Sequence, residues 1–160
     1  MNKKILIIGG TGFLGYHLAK KCLLKKWDVT SISTNRPKTV RFLPKVKYLI
    51  LDITKKKLLQ KKVKSNYDFV VNFGGYVNHN EKSKTYKSHY VGSKNLADLF
   101  KNKTVKSFIQ IGSSVEYGNA KSPQNENVKT DVKKLKSTYG KAKLMATNYL
   151  LKFNKKYNFP

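Results

Sequence analysis

The chain has 160 residues, 39% of them hydrophobic, enough for one domain that buries roughly 70% of its unfolded surface, and no apolar run approaches the ~18 residues of a membrane-crossing helix. The formal net charge is +26, but Arg36 and Arg41 are the only arginines among the 34 cationic residues, and the lysines run through every segment. Arginine supplies the bidentate contacts to phosphates and bases, so this charge reads as a solvated surface that draws anions and not as a specific nucleic-acid interface.

Met1–Lys4 followed by four apolar residues faintly imitates a secretory leader. The run is too short and glycines stand where a cleavage site would be, so a cytoplasmic chain is expected. Lys4–Ile8 reads as a first strand. A helix is predicted over Gly12–Lys26, with Phe13, Leu14, Leu18, Cys22 and Leu23 near helical spacing. Cys22 is the only cysteine, which excludes an internal disulfide and a cysteine metal cluster; no metal site is expected. Its apolar setting favours a packed thiol over a reactive one. The second strand is Asp28–Ser33, and Pro37 and Pro44 punctuate the connection that follows. Val46–Leu51 is the third strand and Leu58–Lys64 a short lysine-rich helix. Phe69–Phe73 is the fourth strand, apolar except for Asn72. The next helix covers Lys87–Lys101, with Val91, Leu96, Leu99 and Phe100 as its core face. Ser107–Ile111 is the fifth strand. A polar loop carrying Gly118, Pro123 and Asn125 leads to a last helix over Ser137–Lys156. Strands alternating with helices predict a parallel α/β sheet. Right-handed crossovers give the order 3-2-1-4-5, with a crevice at the carboxyl ends of strands one and four.

Between the first strand and the first helix stands Gly9-Gly10-Thr11-Gly12-Phe13-Leu14-Gly15. Gly9 would allow the tight turn, Gly12 the close approach of a pyrophosphate, and Gly15 the close packing of helix on strand. The helix N-terminus offers free N–H groups and a positive dipole end to phosphates. The strand before and the helix after supply the context this motif needs to indicate a Rossmann-type dinucleotide site and not a mere glycine-rich turn. A carboxylate at the end of strand two would hold the ribose 2′-OH of NAD, but Ser31-Ile32-Ser33-Thr34-Asn35-Arg36 has none. The Ser33 hydroxyl and the Arg36 cation suit a 2′-phosphate better, which favours NADP over NAD; the other reading of Arg36 is a solvated loop residue.

Tyr139 and Lys143, at i and i+4, share one helix face. An ammonium beside a phenol favours the phenolate, which equips Tyr139 as a base. Together, the glycine loop and this pair resemble the extended short-chain dehydrogenase/reductases, the NAD-dependent epimerase/dehydratase group acting on nucleotide sugars. The resemblance covers essentially the whole chain. Asp52-Ile53-Thr54 is similar to the family's adenine-contacting segment, and Val71-Asn72-Phe73-Gly74-Gly75 to the segment that lines the cofactor. Gly112-Ser113-Ser114-Val115-Glu116-Tyr117-Gly118 is similar to its catalytic serine stretch. The resemblance implies hydride transfer at a sugar carbon. Ser113 would bond the reacting oxygen, Tyr139 would exchange the proton, and Lys143 would hold the nicotinamide ribose and tune Tyr139. The implied cofactor contacts are Gly9, Gly12, Phe13, Leu14, Gly15, Ser33, Arg36, Asp52, Ile53, Phe73, Gly74, Gly75 and Lys143. It also implies a homodimer through the 87–101 and 137–156 helices.

Three departures qualify it. His89 stands where the family has an asparagine, and either substitutes for it or simply packs. Ser114 and Val115 follow Ser113 where sugar dehydratases carry their acid/base pair, with Glu116 one place late, so an epimerase or reductase is expected. Residues 1–160 make one dinucleotide-binding domain that lacks the last strands and the substrate domain of the family. A fragment, a truncated reading frame or half of a split enzyme is therefore expected, binding dinucleotide with little turnover alone. The reading from another class is a catalytically idle dinucleotide-binding module, and a third is a basic binder of anionic surfaces on the same fold.

Overall fold

The computed structural model describes residues 2–160. Five strands, β1 (Lys4–Ile8), β2 (Asp28–Ser33), β3 (Lys47–Ile50), β4 (Phe69–Asn72) and β5 (Ser107–Gln110), form one parallel sheet in the order β3-β2-β1-β4-β5. The helices are α1 (Phe13–Leu24), α2 (Lys56–Lys62), α3 (Lys82–Tyr86), α4 (Gly92–Phe100) and α5 (Thr138–Tyr157), and a π-helical segment (Lys87–Val91) joins α3 to α4. No helix among the described residues is long and apolar enough to cross a membrane. The fold class and strand order are those the alternating pattern predicts.

β1 is central, so both its faces are covered and its four isoleucine and leucine residues run without a polar break. Side chains alternate across a strand. Leu6 and Ile8 join Leu59, Leu96, Phe100 and Phe153 in one core layer, while Ile5 and Ile7 join Ala19, Cys22, Val29 and Val71 in the other. Cys22 is a packed thiol whose pKa burial pushes up.

The first helix buries Gly15, Ala19 and Cys22 against the sheet. Phe13 and Leu14, expected on that stripe, are 63% and 56% exposed. They occupy the first turn, past the carboxyl end of the sheet, where no strand remains to cover them. The fourth-strand helix begins at Lys82, five residues before the expected Lys87, and includes the π turn. Its buried side is more polar than predicted: Thr85, His89, Ser93 and Asn95 lie inward with Leu96, Ala97 and Phe100, while Val91 and Leu99 are half-buried.

Candidate functional site

A cavity of about 720 Å³ opens at the carboxyl ends of β1, β2, β3 and β4, the place where the strand order reverses. Gly9 begins the turn at φ +78°, a left-handed conformation glycine adopts without strain. Its N–H donates to Ile32 O at 2.7 Å, and Gly12 N–H donates to Gly9 O at 3.0 Å. A Cβ on Gly15 would overlap Gly9 O and come within 2.6 Å of Gly10 Cα, so glycine alone lets α1 seat this close. Gly12 caps α1, is exposed to the cavity, and would carry a Cβ with no neighbour except Gly9 O at 3.2 Å. The first-turn N–H groups of Phe13, Leu14 and Gly15 precede any i−4 acceptor, and no acidic side chain neutralises that helix end. Main-chain donors facing an open cradle fit a pyrophosphate.

Ser33, Asp52, Ile53, Phe73, Gly74 and Gly75 line the same cavity. Ser33 Oγ accepts from Thr11 N–H at 3.3 Å and donates to Ile32 O at 2.8 Å, which ties β2 to the glycine loop. Asp52 folds its own turn, accepting from Thr54 N–H at 2.8 Å. The polar interruption of β4 is also explained: fully buried Asn72 donates to Gln110 Oε1 at 2.8 Å and accepts from Gly74 N–H at 2.9 Å. Arg36 is exposed and does not line the cavity. Pro37 biases Arg36 toward an extended backbone conformation. The lining cations are Lys55, Lys84 and Lys87, which the sequence hides among its many lysines. Phe13 instead carries the Arg41 guanidinium, 5.9 Å above its ring.

A second cavity, about 280 Å³, adjoins the first through Phe73, Gly75, Tyr76 and Val77. Leu14, His79, His89, Gly112, Tyr139 and Lys143 also line it. Tyr139 and Lys143 thus face one cleft, as the i, i+4 spacing predicts. Lys143 is only 6% exposed, and its Nζ donates to Ile111 O at 2.7 Å. Burial holds its pKa below the usual lysine range, partly offset by the nearby Glu116 carboxylate. Ser113 sits half-buried in the turn after β5, next to the lining residue Gly112, but lines neither cavity itself.

Three more residues shape this end: Glu116 and His89, which the sequence marks only as departures from the family pattern, and His79, to which it gives no role. Glu116 is buried, accepts from Ser113 N–H at 2.8 Å and from the Thr147 hydroxyl at 2.6 Å, and so ties the serine turn to α5. His79 lies flat on the Tyr139 ring, centroids 4.0 Å apart and planes 11° apart. His89 meets Tyr139 edge-on at 4.9 Å and 74°. Burial first, and the Lys143 charge second, push the His89 pKa down to about 4, so the ring is neutral at ordinary pH. Glu116 was marked in the sequence only by lying one place after the position of a dehydratase acid/base pair. His89 was marked only as standing at the family's asparagine position, and nothing local showed that it or His79 would pack on Tyr139.

A profile of the NAD dependent epimerase/dehydratase family matches residues 5–160. None of the curated proteins compared with the chain matches it. Among solved structures, the UDP-glucose 4-epimerase of Thermotoga maritima, determined with UDP-glucose, aligns at TM-score 0.87 and 22% identity, over 98% of this chain and 52% of that one. The UDP-glucuronic acid 4-epimerase of Bacillus cereus, determined with NAD, aligns at TM-score 0.80 and 22% identity, over 98% and 53%. The enzyme WbmG of Bordetella bronchiseptica, also with NAD, aligns at TM-score 0.85 and 22% identity, over 95% and 50%. The chain therefore spans about half the length of the solved structures it resembles. With its parallel sheet, glycine turn and matched residues 5–160, the chain belongs to the NAD dependent epimerase/dehydratase family.

Proposed function

We propose that this chain is the dinucleotide-binding and proton-handling part of an NAD(P)-dependent nucleotide-sugar epimerase or reductase. The observation that carries the reading is the convergence of Tyr139 and Lys143 on a cavity that adjoins the glycine-loop cavity. In it, Gly9, Gly12 and the N–H groups of Phe13, Leu14 and Gly15 would cradle the pyrophosphate, and Asp52 and Ile53 would flank the adenine. Phe73, Gly74 and Gly75 would line the path to the nicotinamide. The bound dinucleotide would supply the hydride acceptor and donor. Tyr139 would exchange a proton with a sugar hydroxyl or ketone, Ser113 would bond the same oxygen, and Lys143 would orient the ribose.

Glu116 supports an epimerase or reductase over a dehydratase. Its carboxylate is committed to Ser113 N–H and Thr147, and it lines neither cavity. The hydroxyl and amide groups of Ser33, Thr34 and Asn35, with no carboxylate at the end of β2, support NADP over NAD. With Arg36 outside the cavity lining, Lys55, Lys84 and Lys87 take the cationic part in that reading. A substrate domain beyond this one would complete the sugar site. A homodimer through the 87–101 and 137–156 helices is supported by Leu151, 60% exposed on α5.

Calorimetric titration of the chain with NAD(H) and NADP(H) tests the reading. Binding of both, tighter for NADP(H), is expected, and Tyr139→Phe should leave it nearly unchanged. Joined to a substrate domain, the same substitution should abolish hydride transfer. Absence of binding by either cofactor overturns the proposal, and binding with activity that survives Tyr139→Phe reassigns the base. Binding with no activity in the joined protein leaves the idle module as the answer.

A further inference from the structure

Building on that reading, we infer that Gly75 and His89 form an interlocked pair that positions Tyr139, the glycine acting as the notch that receives the imidazole. Resemblance assigns Gly75 only to the cofactor lining. The packing gives it a second duty. A Cβ at position 75 would overlap His89 Cε1 and lie 2.5 Å from Nδ1 and 2.8 Å from Nε2, so no side chain fits there while the imidazole stays in place. The imidazole is 6% exposed on the π segment and borders the second cavity, so a side chain at position 75 would drive it toward the cleft that Tyr139 lines.

The π turn holds both members of the pair in register. Ser88 Oγ accepts from Tyr76 N–H at 2.9 Å, and His89 Nε2 lies 3.3 Å from Tyr76 O. Two successive side chains thus grip the two main-chain groups of the residue after Gly75, which presses the notch onto the ring. With Nε2 donating to that carbonyl, Nδ1 is left a bare acceptor, and it has no partner among the described residues. A π turn inserted into an α-helix is a common mark of a functional site; here it turns Ser88 and His89 together toward the loop after β4.

The imidazole also packs against the Tyr139 ring, at 4.9 Å between centroids and 74° between planes, while His79 covers a face of the same phenol. A shift of His89 by the width of a methyl group would carry Tyr139 with it. Because burial keeps His89 neutral, it supports the phenol without adding a second positive charge beside Lys143. His89 is therefore a positioning residue that acts through Tyr139, and its larger side chain is compatible with the site because position 75 carries none.

A double-mutant cycle on this chain, read through the Tyr139 ring, tests the pair. With ring-labelled tyrosine, the Tyr139 NMR signal is assigned by its loss in Tyr139→Phe, and the signal of Tyr48, across the sheet on β3, serves as the control. Gly75→Ala is expected to shift the Tyr139 signal and leave Tyr48 in place. His89→Asn is expected to shift it as well, and in the His89→Asn background Gly75→Ala should add no further shift. If Gly75→Ala does not fold, a folded Gly75→Ala/His89→Asn double variant supports the pair, and a double variant that also fails to fold overturns it. An unmoved Tyr139 signal in His89→Asn overturns it too, as do equal shifts from Gly75→Ala in both backgrounds. Failure of the functional reading would show separately, as a wild-type chain that binds no dinucleotide while its Tyr139 signal still responds to these changes.

Discussion

The glycine-loop end of the crevice and the Tyr139 end are built by different means. At the first, main chain makes the surface: Gly9, Gly12 and Gly15 shape it by what they lack, and the donors are backbone N–H groups at the start of α1. At the second, side chains make it: His79 from the loop after β4, His89 from the π turn, and Tyr139 and Lys143 from α5, with Glu116 from the turn after β5 and Thr147 from α5 bracing it from behind. A main-chain site depends on one short stretch of sequence and is sensitive to any added atom. A side-chain site depends on contacts between distant segments and is sensitive to charge, so the two ends should fail in different ways.

The largest effect should come from Gly15→Ala. The new methyl would strike backbone, not a flexible side chain, and either α1 or the glycine turn must move. Overpacking commonly costs about 1–3 kcal/mol, and this case belongs at the upper end. Chemical denaturation should show that loss with weakened dinucleotide binding. Unchanged stability would mean that the helix is not held against the turn.

The Tyr139 end should instead respond to acid. Folded His89 stays neutral down to a pKa of about 4, whereas the free imidazole takes its proton near 6.5. Through that window the unfolded state holds more protons, so stability falls as pH drops from 6.5 toward 4. The limit is about 3 kcal/mol at 1.36 kcal/mol per pH unit. Denaturation curves for the wild type and His89→Asn across that range should converge as the pH falls. Parallel curves would show that the ring is accessible to protons in the folded state.

Glu116→Ala should cost somewhat less, about 2 kcal/mol, because it strands the Ser113 N–H and the Thr147 hydroxyl. Glu116→Gln, which keeps an acceptor, should recover part of that loss. It would not restore the negative charge that partly offsets the burial of Lys143. Equal losses in the two variants would show that charge, and not hydrogen bonding, is what Glu116 contributes.

The same contrast explains which parts of the molecule were legible in sequence. The apolar runs of β1 and β4, the glycine spacing and the i, i+4 placement of Tyr139 and Lys143 are local patterns, and each lies where its pattern predicts. The start of the helix before β5 was missed because Lys82-Ser83-Lys84-Thr85-Tyr86 has no apolar period; its buried residue is Thr85. Phe13 and Leu14 kept the helical period but lie beyond the sheet, a limit that periodicity does not encode. Arg36 was placed near the 2′ position by its distance along the chain, while Lys84 and Lys87 reach that cavity from a segment some fifty residues later, across the crevice. The packing of His79 and His89 on Tyr139 depends on tertiary contacts alone.

Gly12→Ala should have the smallest effect on stability and separates the two sides of the comparison most sharply. Gly12 has φ −77°, which alanine adopts freely, and its Cβ would meet only Gly9 O, at 3.2 Å. The tight contact and the poorer N-cap oppose the smaller entropy of the unfolded chain, and each is worth a few tenths of a kcal/mol to about 1 kcal/mol. The net change in stability should therefore lie within about 0.5 kcal/mol. The methyl group, however, would project into the cavity that the first turn of α1 faces. A phosphate would have to stand off from those N–H groups, and lengthened charge-assisted hydrogen bonds lose strength quickly. A weakening of at least about tenfold, 1.4 kcal/mol, is expected for both NAD(H) and NADP(H), since the pyrophosphate is common to the two. Calorimetry on a variant that melts like the wild type would isolate this loss from any effect on folding. Wild-type affinity in Gly12→Ala would place the pyrophosphate away from the glycine turn, and the main-chain account of that end of the crevice would fail.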